Sequence, residues 1–208
     1  MMKKFWVAVM VVGLMAGFAG KAPAGQDAQA QKSADKTPPS YDIKGQVLVD
    51  LQDLQKKFTA LAGAVPQDKY GWRPAEGVRS IGEVYLHVTQ ANYGFIKLIG
   101  GTPAVDFHTK DFEKSTTDKA KIIEQMNTSF EFARTYIDAM TNADIQTAMK
   151  QFGPDANKGD IIYLLADHAH EHLGQSIAYA RVNGIIPPWT VEAMKKQAAK
   201  DKDKAPQE

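Results

Sequence analysis

From about residue 41 to residue 190, apolar positions recur at spacings of three and four, in four stretches separated by glycine and proline. The first stretch, residues 43–64, carries Val47, Leu51, Leu54, Phe58 and Leu61 on one helical stripe and stops before Pro66. The second covers residues 80–99. Ser80-Ile81-Gly82-Glu83 reads as a capping box that opens it, and Gly100-Gly101 ends it. The third is expected to begin at Ser115, with Asp118 in the box-like third position, and to run to about Met140 along Ile122, Met126, Phe130, Ala133 and Ile137. The fourth runs from Asp160 to Val182, with Asn183-Gly184 as its stop and Pro187-Pro188 beyond. No segment alternates convincingly at period two, so a sheet is not expected. Four amphipathic helices, each with one apolar stripe, predict an all-α four-helix bundle over residues 41–190. The loop of residues 100–114, between helices 2 and 3, is long enough to carry a crossover or to cover one end of the bundle.

The ends of the chain read differently. Lys3 and Lys4 precede an apolar run from Phe5 to Ala19, and Ala22-Pro23-Ala24 offers small residues for cleavage, so residues 1–24 read as a signal peptide. A membrane anchor needs roughly 20 apolar residues, and Gly13, Gly17 and Gly20 interrupt this run. Residues 25–40 are small, polar and proline-bearing, as in a flexible linker. Residues 191–208 form a polar, lysine-rich tail, expected to start as a short helix at most and fray into solvent. Cleavage after Ala24 removes Lys3, Lys4 and Lys21 and takes the formal charge from +1 to −2, which leaves no electrostatic footprint for nucleic acid. The expected location is therefore secreted or periplasmic, with no stable membrane span after cleavage. The chain has no cysteine, so stability must come from helix packing and any metal ligands must be His, Asp or Glu.

The fourth helix carries the chemistry. Ile161, Leu165, His168, His172, Gln175 and Tyr179 follow one another at spacings of four and three, a core-facing stripe whose middle is polar. An imidazole pair there is short of hydrogen-bond partners unless something binds it. Histidines four apart share a helix face and can reach one ion, although such a pair is by itself as compatible with a hydrogen-bonded core. His170 is rotated about 200° from His168 and reads as a surface residue. A third ligand is available on helix 2, where His87 flanks the apolar arc and Ala91 and Gly94 follow at one and two turns. Those small residues suit either a ligand pocket or close helix packing, and pocket walls of Val, Phe, Tyr and Met are expected. Glu83, one turn before His87, can be a fourth ligand or a base, but the capping box already accounts for it. His108 lies in the long loop without a supporting pattern. Gln175 can hydrogen-bond a ligand or satisfy a backbone group. Three neutral imidazoles favour zinc, nickel, iron or copper over magnesium or calcium, and three protein ligands leave a coordination position open for water or substrate.

Two motifs give a family resemblance. WRPAEGVRSIGEVYLHV, residues 72–88, and DHAHEHLGQSIAYARVNGIIPP, residues 167–188, together resemble the DinB/YfiT-like superfamily of metal-binding four-helix bundles. The first has W-x-P, then a serine and glutamate ahead of a histidine. The second has H-x-x-x-H-x-G-Q at His168, His172, Gly174 and Gln175, then an arginine, glycine and proline ending. The resemblance spans about residues 41–189 and implies one divalent ion held at His87, His168 and His172, the trio that helical phase also selects. It further implies thiol-dependent transfer or isomerisation with low-molecular-weight thiols, or metal-dependent hydrolysis; many members have no established activity. Glu171 stands where relatives often carry another histidine, and the exported location departs from the cytosolic thiol-using members.

Three functions follow as expectations. The first is an exported metal-dependent enzyme that transfers a thiol to, or hydrolyses, a small-molecule substrate. The second is a non-enzymatic metal-binding or carrier protein with the same ligands. The third is a structural or partner-binding bundle with satisfied core histidines. An exposed bundle face is also available to support a homodimer.

Overall fold

The computed structural model describes residues 42–204; the signal peptide read at 1–24 and the linker read at 25–40 lie outside the described residues. Six α-helices and three short 3-10 turns make up the regular structure, with a single isolated bridge between Ala148 and Asn157 and no strand among the described residues. No helix among them is long and apolar enough to cross a membrane.

Helix α1 is Ile43–Ala64, capped by the Asp42 carboxylate on Gly45 N, and it buries the stripe Val47, Leu51, Leu54, Phe58 and Leu61. Helix α2 is Ile81–Leu98. Ser80 and Glu83 form the expected reciprocal box, with Glu83 N donating to Ser80 Oγ (3.2 Å) and Ser80 N donating to Glu83 Oε2 (2.8 Å). The helix ends where Gly100 takes φ 109°, a conformation that side chains disfavour.

Helix α3 is Lys119–Ala139, which starts later than the sequence suggested. Asp118 is the cap itself, accepting from Lys121 N at 3.0 Å, rather than the third residue of a box opened by Ser115. Ser115 instead follows a 3-10 turn, Phe112–Lys114. Both residue types favour caps, and the aspartate is the one adjacent to the apolar run. Helix α4 is a single turn, Asn142–Ile145, in the third link. Helix α5 is Lys158–Val182, capped by Asn157 with Asp160 as the reciprocal partner. Helix α6, Pro188–Lys204, begins on a proline at its first position and continues through most of the segment expected to fray.

The four long helices pack in the cyclic order α1, α3, α2, α5, so α1 and α2 are diagonal, as are α3 and α5. Directions follow from pairs of contacts. Lys44 at the start of α1 donates to the Asp138 and Met140 carbonyls at the end of α3, while Lys119 at the start of α3 reaches the Gly63 and Val65 carbonyls. Helices α1 and α3 are therefore antiparallel. Asn92 bonds Ser129 and Tyr136 bonds the Ile99 carbonyl, so α2 and α3 run parallel. Phe95 against His168 and Trp72 against Tyr179 make α5 antiparallel to α2.

Because α2 and α3 are parallel neighbours, residues 99–118 must return along the length of the bundle. This is the crossover that the loop length allowed. It is pinned by Phe107, which is buried at 4% exposure against Tyr93 and whose own carbonyl accepts from Gln90 Nε2 at 2.7 Å. Phe58, Phe130 and Tyr85 meet at the bundle centre, with Phe58 5.7 Å from Phe130 and 6.2 Å from Tyr85.

Candidate metal centre

On α5 the deepest line is Ile162, Ala166, Ala169, Leu173, Ser176 and Ala180, all buried. The stripe of His168, His172, Gln175 and Tyr179 lies beside it and is only partly buried, along the seam that α5 forms with α2. This corrects the expectation that the histidines sit on the core-facing line itself. Their flanking position leaves them within reach of both solvent and helix α2.

His87 of α2 faces this seam. The ligating atoms of His87, His168 and His172 lie within 4.8 Å of one another, and the Nε2 atoms of His87 and His168 are 3.1 Å apart. Tetrahedral coordination at about 2.0–2.1 Å separates two nitrogens by roughly 3.3 Å, close to that spacing. Residues that coordinate a metal only when deprotonated must also be neutral here. Burial lowers the His168 pKa to about 4, and the neighbouring His172 and His87 push the same way. Burial also holds His87 below its ordinary value, against the opposing pull of Glu113.

The other ring nitrogens fix which tautomers are present. His87 Nδ1 lies 2.7 Å from Glu113 Oε1. Burial opposes ionisation of Glu113, but hydrogen bonds from Arg79 and His87 outweigh it and keep the carboxyl below its usual range. An ionised carboxylate only accepts, so Nδ1 of neutral His87 carries the proton and Nε2 presents a bare lone pair to the seam. His172 repeats the pattern, with Nδ1 2.7 Å from Gln175 Oε1 while Gln175 Nε2 donates to the Tyr179 hydroxyl at 3.0 Å. His168 differs, since its Nδ1 is buried without a partner. Two free Nε2 lone pairs, with the His168 Nε2 3.1 Å from that of His87, fit a divalent cation with nitrogen ligands. The three histidines can hold one metal ion.

Glu113 and Arg79 are the functional residues that sequence reasoning missed. Arg79 grips Glu113 through two bonds, Nε to Oε2 at 2.6 Å and Nη2 to Oε1 at 3.0 Å. Glu113 is 26 positions from His87, in a turn of the crossover with no periodicity to mark it. Gln175 is resolved as the partner of an imidazole, which neither sequence reading of it anticipated. Glu83 stays in the capping box and pairs with Arg73 at 3.0 Å, outside the histidine cluster. His170 is exposed on the far side of α5.

Next to His168 a groove of about 670 Å³ is lined by Ala91, Gly94, Phe95, Lys97, Leu98, His108 and His168. Of the valine, phenylalanine, tyrosine and methionine walls expected from sequence, this groove has Phe95. A second recess of about 580 Å³, lined by Arg73, Arg79, Glu83, Glu113, Lys114 and Gln175 among others, is polar.

Comparison with known proteins agrees with this architecture. The crystal structure of the DinB-like protein YjoA from Bacillus subtilis, at 2.30 Å resolution, is similar to this chain with a TM-score of 0.53 and 19% identity. The similarity covers 67% of this chain and 92% of that one, and at this identity it speaks for the fold. No curated protein matches the chain. The family model of the DinB superfamily matches residues 50–176, well over half the sequence, and the chain belongs to that superfamily.

Proposed function

We propose that the protein is an exported metal-dependent enzyme that acts on a small molecule, by thiol transfer or hydrolysis, with His87, His168 and His172 holding one divalent transition ion such as zinc, nickel or iron. The observation that carries this reading is the set of fixed protons. Glu113 accepts the Nδ1 proton of His87 and Gln175 that of His172, which leaves both Nε2 lone pairs free, and the His87 Nε2 meets the His168 Nε2 across the seam at 3.1 Å. A bound ion with three protein ligands supplies Lewis acidity at its open position.

The chain's own residues supply the rest. Arg79 holds Glu113, and Glu113 orients His87 and raises its basicity as a ligand. Tyr179 holds Gln175, which orients His172. The imidazoles are only partly buried, and the groove beside His168 gives a small molecule access.

Elemental analysis of untagged protein recovered from its native compartment tests the reading, with His87→Ala as the control. One equivalent of a transition metal that disappears in the variant is expected. The loaded protein is then assayed with electrophile–thiol pairs and with esters and amides. Absence of stoichiometric metal overturns the site, and metal without turnover in either panel overturns the enzyme and leaves a metal-binding protein.

A further inference from the structure

The groove beside His168 has a direction. His87, Ala91, Gly94 and Leu98 follow at spacings of four, three and four, so they share one face of α2. From Leu98 to Ala91 that face spans roughly 10 Å, and one further turn leads to the His87 ring. Ala91 and Gly94 leave its floor low, while Phe95 packs edge-on to His168 with ring centroids 5.6 Å apart. Gly94 is not required for packing, since a Cβ there would meet only Phe107 Cε2 at 3.8 Å, an ordinary contact. A glycine in a helix interior is less favourable than alanine, and here the space it leaves belongs to the groove. Leu98, at 48% exposure, extends the apolar surface toward the mouth.

The end remote from His87 is charged. Lys97 is the single formal charge among the lining residues. Its Nζ donates to His108 Nε2 at 2.8 Å and stands 5.7 Å from the Phe107 ring, which holds it at the groove instead of free in solvent. Among the described residues it has no carboxylate partner.

We propose that this groove binds a small monoanionic amphiphile, its apolar body along Ala91, Gly94, Phe95 and Leu98 and its anionic group at Lys97. The length of the trough suits a body of roughly eight to ten carbons. A volume of about 670 Å³ lies within the range of small-molecule sites. The body then passes His168, and the end opposite the anion arrives at His87. That last statement rests on the metal-site reading above, whereas binding in the groove does not. Anchoring a substrate by a charge far from the reacting end lets remote binding energy position that end.

Calorimetric titration of the full protein with decanoate, and with decanol as its neutral counterpart, tests the proposal below their aggregation concentrations. Both are expected to bind one to one, in metal-loaded protein and in His87→Ala alike, so the outcome is independent of whether a metal binds. Lys97→Met is expected to weaken decanoate about five-fold, the worth of an exposed ion pair, and to leave decanol unchanged. Gly94→Leu is expected to abolish both while retaining helicity by circular dichroism and wild-type metal content. No binding by wild-type protein, binding that survives Gly94→Leu, or equal loss of acid and alcohol in Lys97→Met would each overturn it. So would sedimentation showing a second copy of the chain that competes with decanoate for this face.

Discussion

A histidine binds a metal through its bare nitrogen, so the partner of the other nitrogen decides how well it binds. His87 has a strong partner in Glu113, His172 a neutral one in Gln175, and His168 none. Outer partners of this kind are typically worth about 10–100-fold in metal affinity. Glu113→Gln should weaken metal binding by that order, read by competition with a chromophoric chelator, and Arg79→Met should weaken it less in the same direction. For His168 the orphan Nδ1 costs stability with or without a metal at Nε2, because a buried unsatisfied polar atom costs about 1–3 kcal/mol. Metal-free His168→Leu should therefore melt at or above the wild-type temperature, as seen by calorimetry, yet lose any metal-dependent rise. The same residue sets an acid limit. Its pKa is about 4 folded against an ordinary 6.5. As pH falls through that window the unfolded chain takes up a proton that the folded chain refuses, so stability drops below pH 6.5 and the loss is complete below about 4. The loss is at most about 3 kcal/mol. Denaturant melts of metal-free protein across this range should show it, and His168→Leu should flatten the curve.

At the scale of elements, the crossover is the piece on which the site depends. Helices α2 and α3 run parallel, so residues 99–118 must travel the bundle's length, and on the way they deliver Glu113 to His87. Phe107 is the anchor of that path. Phe107→Ala removes a buried aromatic ring, a change that typically costs about 3–5 kcal/mol in a closed core. The lower end is expected here, since the ring packs on the outer surface of α2. It should also weaken metal binding without touching a ligand. Metal affinity measured at a temperature where the variant is fully folded checks this; unchanged affinity would separate the crossover from the site. The α2 capping box holds the other carboxylate of the polar recess that Glu113 lines. Glu83 is committed to Ser80 N and to Arg73, which keeps a second carboxylate away from the imidazoles.

For the whole molecule, two of the three candidate ligands sit on α5 and one on α2, so an ion bound there would tie two antiparallel helices across their seam. An ion that binds only the folded chain stabilises by mass action, about 2.7 kcal/mol at a hundredfold excess over Kd. The melting temperature should rise with added zinc or nickel in wild-type protein and stay flat in His87→Ala, a difference that thermal melts resolve.

Much of this was legible in the residues themselves. The periods of α1, α2, α3 and α5, the Ser80–Glu83 box and the stop at Gly184 are local properties, set by side chains three or four positions apart. The phase of α5 likewise put His168 and His172 on one face and excluded His170, and the two motifs joined them to His87. The tertiary structure alone decided the rest: that α2 and α3 are parallel, that α6 continues to Lys204, that Asp118 and not Ser115 starts α3, and that Glu113 reaches His87. It also decided that the histidine stripe borders the core and opens on a groove. The parallel pairing, the Glu113–His87 contact and the gathering of the histidines depend on residues 26 to 81 positions apart, and a periodicity of three or four carries no information about pairing over that distance.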